Sequence, residues 1–313
     1  MTEHEPPGPR SDRMRVIVNA SAGSKGGVPT NGTTTSDVDA VLHEVGIEAE
    51  IVESASASDA SRLAAEAVRK RYDVVVAVGG DGTIGVVAAE LLGSSTALGV
   101  LPGGSIMNIP RMLGVPRDLP AAATVLATGV VRKVDVGEAR GRPFFESASV
   151  GMNAAMFREA QRFDAGDHIS ILRAFWVAFR YRPARMRVEL DDGVIRTRAL
   201  TVTVSNGPYT GTGMTVAPDA RLDDGCLDIR VFEHFSKWEL IRHFASIAFG
   251  RRRYVPHIST HRSRFVRISS RHPLPARADS RDLGTTPVEF RILPGALRVI
   301  APPDGLPTGA PAG

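Results

Sequence analysis

The sequence predicts an α/β fold in two parts: an N-terminal domain built on a parallel sheet and a C-terminal β-rich sandwich domain. Two observations support this fold class. Up to about residue 130, apolar runs of strand length alternate with helix-like segments, as in a parallel sheet covered by helices. Beyond residue 133, β-like segments separated by turns dominate, which is typical of a sandwich or an antiparallel domain.

The N-terminal elements follow from hydrophobic periodicity and turn residues. In chain order the sequence predicts strand 15–19, helix 36–45, strand 48–53, helix 57–70, strand 74–78, helix 84–92, strand 97–101 and helix 119–128. Turns rich in glycine or polar residues follow Val18, Val78 and Leu101. Because such folds bind ligands at the carboxyl ends of parallel strands, we expect the site there.

The C-terminal strands are expected at 144–150, 186–190, 198–205, 226–232, 264–269, 288–293 and 297–301. Two helical stretches interrupt them, Ile169–Arg182 and Lys237–Phe249. The first stretch places apolar side chains on one face, with arginines nearby: Ile169, Leu172, Phe175, Trp176 and Phe179. This pattern predicts either a helix packed on the sheet or a lip that meets membrane lipid.

Composition limits the class of protein. The chain has 313 residues, 43% of them hydrophobic, and a single cysteine, Cys226. One cysteine excludes a disulfide framework and a zinc cluster. No apolar run reaches the roughly 18 residues of a membrane span, and residues 1–13 have no apolar segment of a secretory signal. We therefore expect a cytoplasmic protein.

Charge is distributed unevenly. Residues 1–136 carry 12 Lys and Arg against 16 Asp and Glu, whereas residues 137–313 carry 26 against 18. The basic part includes Arg251–Arg253 and the series Arg262, Arg264, Arg267 and Arg271. This excess indicates either a solvated surface or attraction to an anionic surface, which would be membrane headgroups or nucleic acid.

The most informative stretch is Val74–Glu90, in which an apolar run enters Gly79-Gly80-Asp81-Gly82-Thr83 and a helix-like pattern follows. Glycines let the backbone approach a ligand closely, and a helix N-terminus suits a phosphate. The carboxylate of Asp81 would repel a phosphate unless a cation or a substrate hydroxyl lay between them. The stretch therefore predicts a nucleotide site that works with Mg²⁺.

Five motifs occur in a fixed order. They are NASAG at 19–23, GGDGT at 79–83, PGGS at 102–105, a segment at 206–225 ending in APDARLDDG, and LPGALRV at 293–299. Together they resemble the diacylglycerol kinase catalytic family, specifically the soluble bacterial lipid kinases that also resemble sphingosine kinases. The resemblance extends over about residues 14–303.

The resemblance implies ATP-dependent phosphorylation of a lipid hydroxyl with Mg²⁺. It implies a Rossmann-like nucleotide domain at 14–134 and a β-rich lipid-binding domain at 135–302, with disordered tails at 1–13 and 303–313. The last strands are expected to return to the N-terminal domain. The implied partners are a lipid substrate and an anionic membrane surface, which gives a cytoplasmic, peripherally membrane-associated protein. No nucleic acid is expected, and a homodimer is left open.

The resemblance also implies the site residues. Those that contact the nucleotide would be Asn19, Ser54, Gly79, Gly80, Asp81, Gly82, Thr83, Ile84, Gly104 and Ser105. Asp81 would also act in catalysis. Asp224, with the backbone carbonyls of Arg221 and Cys226, matches a structural Mg²⁺ site, and oxygen ligands suit that cation.

Three positions depart from the family pattern. Met107-Asn108 stands where the family has Asn-Asp, and Asn153 replaces an Asp of the first C-terminal strand. Arg281, in the segment Asp279–Arg281, stands where the family has a Glu that is proposed to deprotonate the lipid hydroxyl. Arginine cannot accept a proton at neutral pH. Because phosphoryl transfer depends mostly on positioning and charge neutralisation, losing the base would weaken transfer rather than abolish it.

The sequence leaves the proton acceptor open among Asp81, Asp279 and Asp282. Arg281 either binds an anionic headgroup or a phosphate, or points to solvent. Three functions follow: an active lipid kinase, a weakened homologue that binds nucleotide or anionic lipid, and a kinase of a soluble substrate such as NAD. NAD kinases share GGDGT, but the segment at 206–225 and the LPGALRV ending favour the lipid kinase.

Overall fold

The computed structural model describes residues 13–19, 24–25, 28–29, 33–164, 173, 176–177, 179–211, 213–233 and 258–307. Within these residues, a ten-stranded mixed sheet and a six-stranded antiparallel sheet are the two large sheets. The predicted α/β fold class, with an N-terminal parallel sheet and a β-rich C-terminal part, is confirmed. The helical stretch at 237–249 lies outside the described residues, as do residues 1–12 and 308–313 of the two predicted tails and part of the stretch at 169–182.

The first half of the chain alternates strands and helices. Its described elements are β1 (Met14–Asn19), β2 (Ser24–Lys25), β3 (Val28–Pro29), α1 (Thr35–Glu44), β4 (Glu50–Ser54), α2 (Ala57–Arg69), β5 (Val74–Gly79), α3 (Asp81–Leu91), β6 (Ala97–Pro102), α4 (Asn108–Met112), α5 (Leu119–Thr128) and β7 (Val130–Ala139).

Strands dominate the second half. Its described elements are β8 (Arg142–Phe144), β9 (Ser147–Gly151), α6 (Met152–Asp164), β10 (Ala184–Leu190), β11 (Gly193–Ala199), β12 (Thr201–Ser205), β13 (Tyr209–Thr210), β14 (Met214–Thr215), β15 (Leu227–Phe232), β16 (Ile258–Ser263), β17 (Phe265–Ser270), β18 (Pro275–Ala278), β19 (Arg281–Thr285) and β20 (Val288–Ala301).

The parallel part of the large sheet has the strand order β4-β1-β5-β6. Strands β5 and β6 are buried along their whole length, as their continuous apolar sequences require when helices cover both faces. Side-chain oxygens of Thr34, Ser56 and Asp118 cap the first turns of α1, α2 and α5. These caps supply partners for backbone N–H groups that the helices leave unpaired.

Strand β20 joins the two parts of the molecule. It runs parallel to β6 at Val299, antiparallel to β7, and antiparallel to β17 at its other end. The sequence predicted two strands here. The structure has one strand with a register shift between Leu293 and Leu297. Pro294 and Gly295 lie at the shift, where a proline cannot donate to the ladder and Gly295 has a φ of +57°.

The C-terminal core lies between the two sheets. The six-stranded sheet has the order β16-β15-β12-β9-β18-β19. Its buried side chains, such as Val204 and Ile229, belong to the same hydrophobic cluster as Val188, Ile268 and Phe290 of the large sheet. Side chains from two inner faces that fill one core define a sandwich.

Three described helices, α3, α4 and α6, differ from expectation, and the short helix α4 was not predicted. Helix α3 begins at Asp81 rather than near residue 84, because Gly80 is already its N-cap. Helix α6 was not predicted. It follows Gly151, which has a φ of +101° and whose added Cβ would lie 2.5 Å from the carbonyl oxygen of Leu200, so only glycine fits this corner. None of the described helices is both long and apolar enough to span a membrane.

Candidate active site

Two glycine turns lie backbone to backbone at the carboxyl ends of β5 and β6. Gly103 donates its N–H to the carbonyl of Gly79 over 3.2 Å. A Cβ added at Gly104 would lie only 2.6 Å from the Cα of Gly80. Any side chain at residue 104 would therefore push the turns apart, which explains the glycine at this position.

The start of α3 faces the space beside these turns. Asp81, Gly82 and Thr83 form its first turn, and among the described residues no side chain caps it. Their N–H groups have no partner within the helix. Gly82 is exposed, and a Cβ added there would meet nothing within 4 Å. Free N–H groups and open space at a helix N-terminus fit a phosphate group.

Asp81 connects the first glycine turn to α4, which follows the second turn. Its two carboxylate oxygens accept backbone N–H groups from Asn108 (3.0 Å) and Ile109 (2.8 Å). Helix α4 is preceded by Met107 in the left-handed conformation, with a φ of 63°. Asp81 therefore lies at the junction of both turns, and both of its oxygens retain capacity to accept further hydrogen bonds.

The structure places the remaining predicted nucleotide residues around this junction with different exposure. Asn19 donates its side-chain amide to Thr83 over 2.8 Å. Ser54 lies beside Asn19 in the sheet register, but its hydroxyl is buried and donates to the carbonyl of Val18 over 3.3 Å. Ser105 is exposed. Ile84 is fully buried in the core beneath the turn, so its side chain supports the turn.

A buried carboxyl group, that of Glu146, lies next to the second turn. Its Oε2 accepts the side-chain amide of Asn108 over 2.9 Å and the backbone N–H of Gly211 over 3.2 Å. The same Asn108 amide donates to the carbonyl of Gly211 over 2.9 Å. Glu146 thus brings the N-terminal helix α4 and the loop around Gly211 to the segment between β8 and β9.

The surroundings of Glu146 favour its neutral form. Burial raises its pKa to about 8, and the nearby carboxylates of Asp279 and Asp81 act in the same direction. Hydrogen bonds from Asn108 and Gly211 act in the opposite direction. A carboxyl group with a pKa of about 8 exchanges its proton near neutral pH, which is a property of groups that act as acids or bases.

Asp279 anchors the turn between β18 and β19. Its carboxylate accepts backbone N–H groups from Phe145 (2.8 Å), Glu146 (2.9 Å) and Ser147 (3.2 Å). Asp279 itself has a φ of +46°. Burial raises the pKa of Asp279, although the three N–H donors lower it. Its oxygens hold the backbone that presents Glu146.

Arg281 and Asp282 have partners of their own. The Arg281 guanidinium donates to the carbonyl of Pro143 in β8. Asp282 forms an ion pair with Arg158 of α6 at 2.7 Å. The structure therefore holds Asp279, Arg281 and Asp282 in contacts with the protein itself.

The predicted structural Mg²⁺ site contains a protein cation. The carboxylate of Asp224 forms an ion pair with Arg262 and accepts the backbone N–H of Cys226 at 3.1 Å. The side chain of Arg221 pairs with Asp223 at 3.0 Å. Among the described residues, no group of three or more His, Cys, Asp or Glu side chains could hold a metal ion. Arg262 thus neutralises Asp224 in this structure, and ligation of Mg²⁺ by Asp224 and the carbonyls of Arg221 and Cys226 stays a prediction.

Sequence reasoning missed two charged residues of this region. Glu146 is a lone acid in the otherwise uncharged segment FFESASV, and that isolation was a usable signal. Arg277 is buried, donating to Ser149 over 3.1 Å and to the carbonyl of Asp279 over 2.7 Å. Its guanidinium also lies 4.5 Å from the ring centre of Phe157. Nothing in the sequence around Arg277 distinguishes it from the exposed arginines.

Comparison with known proteins agrees with the motifs. The model of the diacylglycerol kinase catalytic domain matches residues 13–139, and that of the YegS C-terminal NAD kinase beta sandwich-like domain matches residues 146–301. The chain belongs to the diacylglycerol kinase catalytic family. The expected family resemblance is thereby confirmed, and membership of a kinase family indicates a phosphotransferase.

Relatives match this family member over most of its length. A diacylglycerol kinase of Staphylococcus saprophyticus is 26% identical over 299 residues, covering 93% of this chain and 96% of the relative. A diacylglycerol kinase of Bacillus subtilis is 27% identical over 267 residues, covering 83% of this chain and 88% of the relative. A crystal structure of a diacylglycerol kinase from Bacillus anthracis has a TM-score of 0.73 at 21% identity, covering 95% of this chain and all of that one. That last likeness supports the fold alone.

Proposed function

We propose that this protein is a lipid kinase that transfers the γ-phosphate of ATP, with Mg²⁺, to the hydroxyl of diacylglycerol or a related lipid. One observation carries the proposal. The Asp81 carboxylate stands at the N-terminus of α3, beside two packed glycine turns, and accepts hydrogen bonds from the N-terminus of α4. It lies where phosphate-binding N–H groups meet the C-terminal part of the molecule.

Phosphates of ATP would lie against the N–H groups of the first turn of α3, next to exposed Gly82. In phosphoryl transfer, an Mg²⁺ ion bridges phosphate oxygens and neutralises the developing charge. Mg²⁺ is usually bound by one or two carboxylates together with substrate phosphates and water. The spare acceptor capacity of Asp81 suits the water shell of such an ion.

A lipid acceptor is supported by surface chemistry as well as by the names of the relatives. Trp176 and Phe179 expose 58% and 44% of their surface, and Arg180 lies 5.2 Å from the ring centre of Trp176. Exposed aromatic rings beside arginine suit the interface of an anionic membrane. We therefore propose peripheral membrane association, with the lipid hydroxyl delivered from the bilayer.

The test is transfer of labelled γ-phosphate from Mg-ATP in mixed micelles that contain diacylglycerol, phosphatidylglycerol or a long-chain base, with NAD as a soluble acceptor. We expect a labelled lipid. Labelling of NAD but of no lipid would indicate that the protein is a kinase of a soluble substrate and not a lipid kinase. Normal ATP binding with no labelled product would indicate a homologue that binds nucleotide without transferring phosphate.

A further inference from the structure

We propose that Glu146 is the residue that accepts the proton of the acceptor hydroxyl during phosphoryl transfer. This inference deepens the proposed function and rests on it. Of the three acids that the sequence offered for this task, the structure engages Asp279 and Asp282 elsewhere and places Asp81 against α4. Arg281, at the position where the family has its Glu, carries no basic site for a proton.

The two oxygens of Glu146 have different environments. Both N–H donors, from Asn108 and Gly211, bind Oε2. Within the described part of the chain, Oε1 has no hydrogen-bond partner. The carboxyl group is therefore anchored through one oxygen, while the other stays open to a hydroxyl. An anchored carboxyl with one open oxygen is the arrangement that a positioned base requires.

Next to Glu146, the side chain of Asn108 has a second acceptor atom without a donor in the described part of the chain. The side-chain oxygen of Asn108 is buried and has no hydrogen-bond partner among the described residues. An unpaired buried acceptor destabilises the fold until a donor reaches it. The nitrogen of the same amide donates to Glu146, so the side chain that anchors the proposed base itself carries this unpaired acceptor.

The position of Glu146 between the two parts of the molecule suits a base for phosphoryl transfer. The backbone N–H of Asn108, the first residue of α4, donates to the carboxylate of Asp81 over 3.0 Å. Asn108 alone therefore separates Glu146 from the Asp81 carboxylate at the proposed phosphate site. Gly211, its other partner, belongs to the loop that follows β13 of the C-terminal part. Glu146 therefore lies between the nucleotide turns and the part of the molecule expected to hold the lipid.

The step balances as a single displacement. The oxygen of the lipid hydroxyl forms a bond to the γ-phosphorus of ATP, and the bond from that phosphorus to the bridging β,γ-oxygen breaks. The bridging oxygen keeps the electron pair and leaves as part of ADP. The hydroxyl proton passes to Oε1 of Glu146 and is then released to water, which restores the carboxylate.

Charged groups from several elements face Glu146 and set when it can act. They are Asp81 of α3, Asp279 of the β18–β19 turn and Arg277 of β18. Asn108 of α4 and Gly211 are its neutral neighbours. Because the two acids and burial raise its pKa to about 8, the carboxylate form accumulates as pH rises through that value. The rate of phosphoryl transfer should therefore increase with the fraction of Glu146 in the carboxylate form.

The experiment measures kcat, kcat/KM and ATP affinity between pH 6 and 9.5 for the wild type, Glu146→Gln, Glu146→Asp and Glu289→Gln. Glu289 is a partly exposed carboxylate that pairs with Arg267 and Arg291 on β17 and β20, so its variant controls for loss of one charge. We expect kcat/KM of the wild type and of Glu289→Gln to rise with pH, to reach half of its maximum near pH 8 and to level off above about pH 9. Glu146→Gln should lose roughly 10²- to 10⁴-fold in kcat, lose this pH dependence and keep its ATP affinity.

Glu146→Asp keeps the carboxyl group but withdraws it by one methylene, so a lower kcat with a retained pH dependence is expected. This variant decides the question if the Gln variant does not fold. A Gln variant with wild-type kcat and an unchanged pH profile would overturn the assignment while leaving the lipid kinase intact. A wild type that binds ATP but labels no lipid would instead overturn the proposed function, and this role with it.

Discussion

The side-chain amide of Asn108 donates a hydrogen bond to the buried carboxyl of Glu146, with 2.9 Å between Nδ2 and Oε2. This bond links the helix after the second glycine turn to the segment that precedes β9. Through its backbone N–H, Asn108 also binds Asp81. Asn108 therefore couples the predicted phosphate site to the C-terminal part, and a displacement of this residue would affect both Asp81 and Glu146.

Gly82→Ala should weaken nucleotide binding without weakening the fold. The added Cβ meets no protein atom within 4 Å, and alanine is favoured over glycine in a helix by about 1 kcal/mol. The methyl group would nevertheless lie in the space assigned to the phosphates. We expect an unchanged or higher Tm by calorimetry, together with an ATP Kd raised by about tenfold, or 1.4 kcal/mol. An unaltered ATP Kd would contradict the placement of the phosphates.

The proton that folded Glu146 retains should make the stability of the protein fall as pH rises from about 4.5 to 8. Its pKa is about 8 in the folded protein against an ordinary value of 4.5, so between these values the folded state binds more protons than the unfolded chain. The free energy of unfolding should then decrease with rising pH, by up to about 1.4 kcal/mol per pH unit from this group. This contribution is fully present below pH 4.5 and is lost by pH 8 to 9.

Glu146→Gln isolates that effect. Asp228, whose pKa burial raises to about 6, contributes in the same direction but is common to both proteins. The Tm of the variant minus that of the wild type should therefore increase steadily from pH 5 to pH 8.5. Two Tm curves that run parallel over this range would show that Glu146 titrates normally.

The sequence could predict the parts of the fold and site that local signals encode. The apolar run before Gly79 and the glycines after it determine β5 and the start of α3 within a few residues. The site around Glu146 could not be predicted in this way. Its neighbours Asn108, Gly211 and Asp279 are distant in sequence, and only the packing of the two parts brings them together.

The hydrogen-bond partner of Arg281 could not be predicted from the sequence either. The motif alignment placed it at the position of a base, and its charge indicated either a headgroup contact or exposure to solvent. In the structure its guanidinium donates to the carbonyl of Pro143, a partner that depends on how β8 lies against β19. The register of two strands distant in sequence decides such a contact, and composition and spacing carry no information about it.

Membrane binding should depend on the two exposed aromatic side chains. Fully burying an aromatic ring contributes about 1.5–3 kcal/mol, so Trp176→Ala combined with Phe179→Ala should lower binding to phosphatidylglycerol vesicles at least tenfold. Val194→Ala, at an apolar residue that is 45% exposed on β11, is the matched control and should bind normally. Equal sedimentation of all three proteins with the vesicles would exclude this surface as the contact.

Chelation of divalent cations should separate activity from stability. Because Arg262 already neutralises Asp224, EDTA should change the Tm by no more than about 1 °C, well below the shift that loss of 1 kcal/mol produces. Transfer should stop, since Mg²⁺ is needed with ATP. A Tm that drops by several degrees in EDTA and recovers with Mg²⁺ would show a structural metal ion at the Asp224 turn after all.

The most direct test of the lipid kinase compares Asp81→Ala with Asp118→Ala in the micelle assay. Both aspartates accept backbone N–H groups at the start of a helix, α4 and α5 respectively, and losing such a contact costs about 1 kcal/mol. Only Asp81 lies beside the glycine turns. We predict labelled lipid from the wild type and from Asp118→Ala, and none from Asp81→Ala at normal ATP binding. Equal labelling by both variants would contradict the assignment of this junction as the site of phosphoryl transfer.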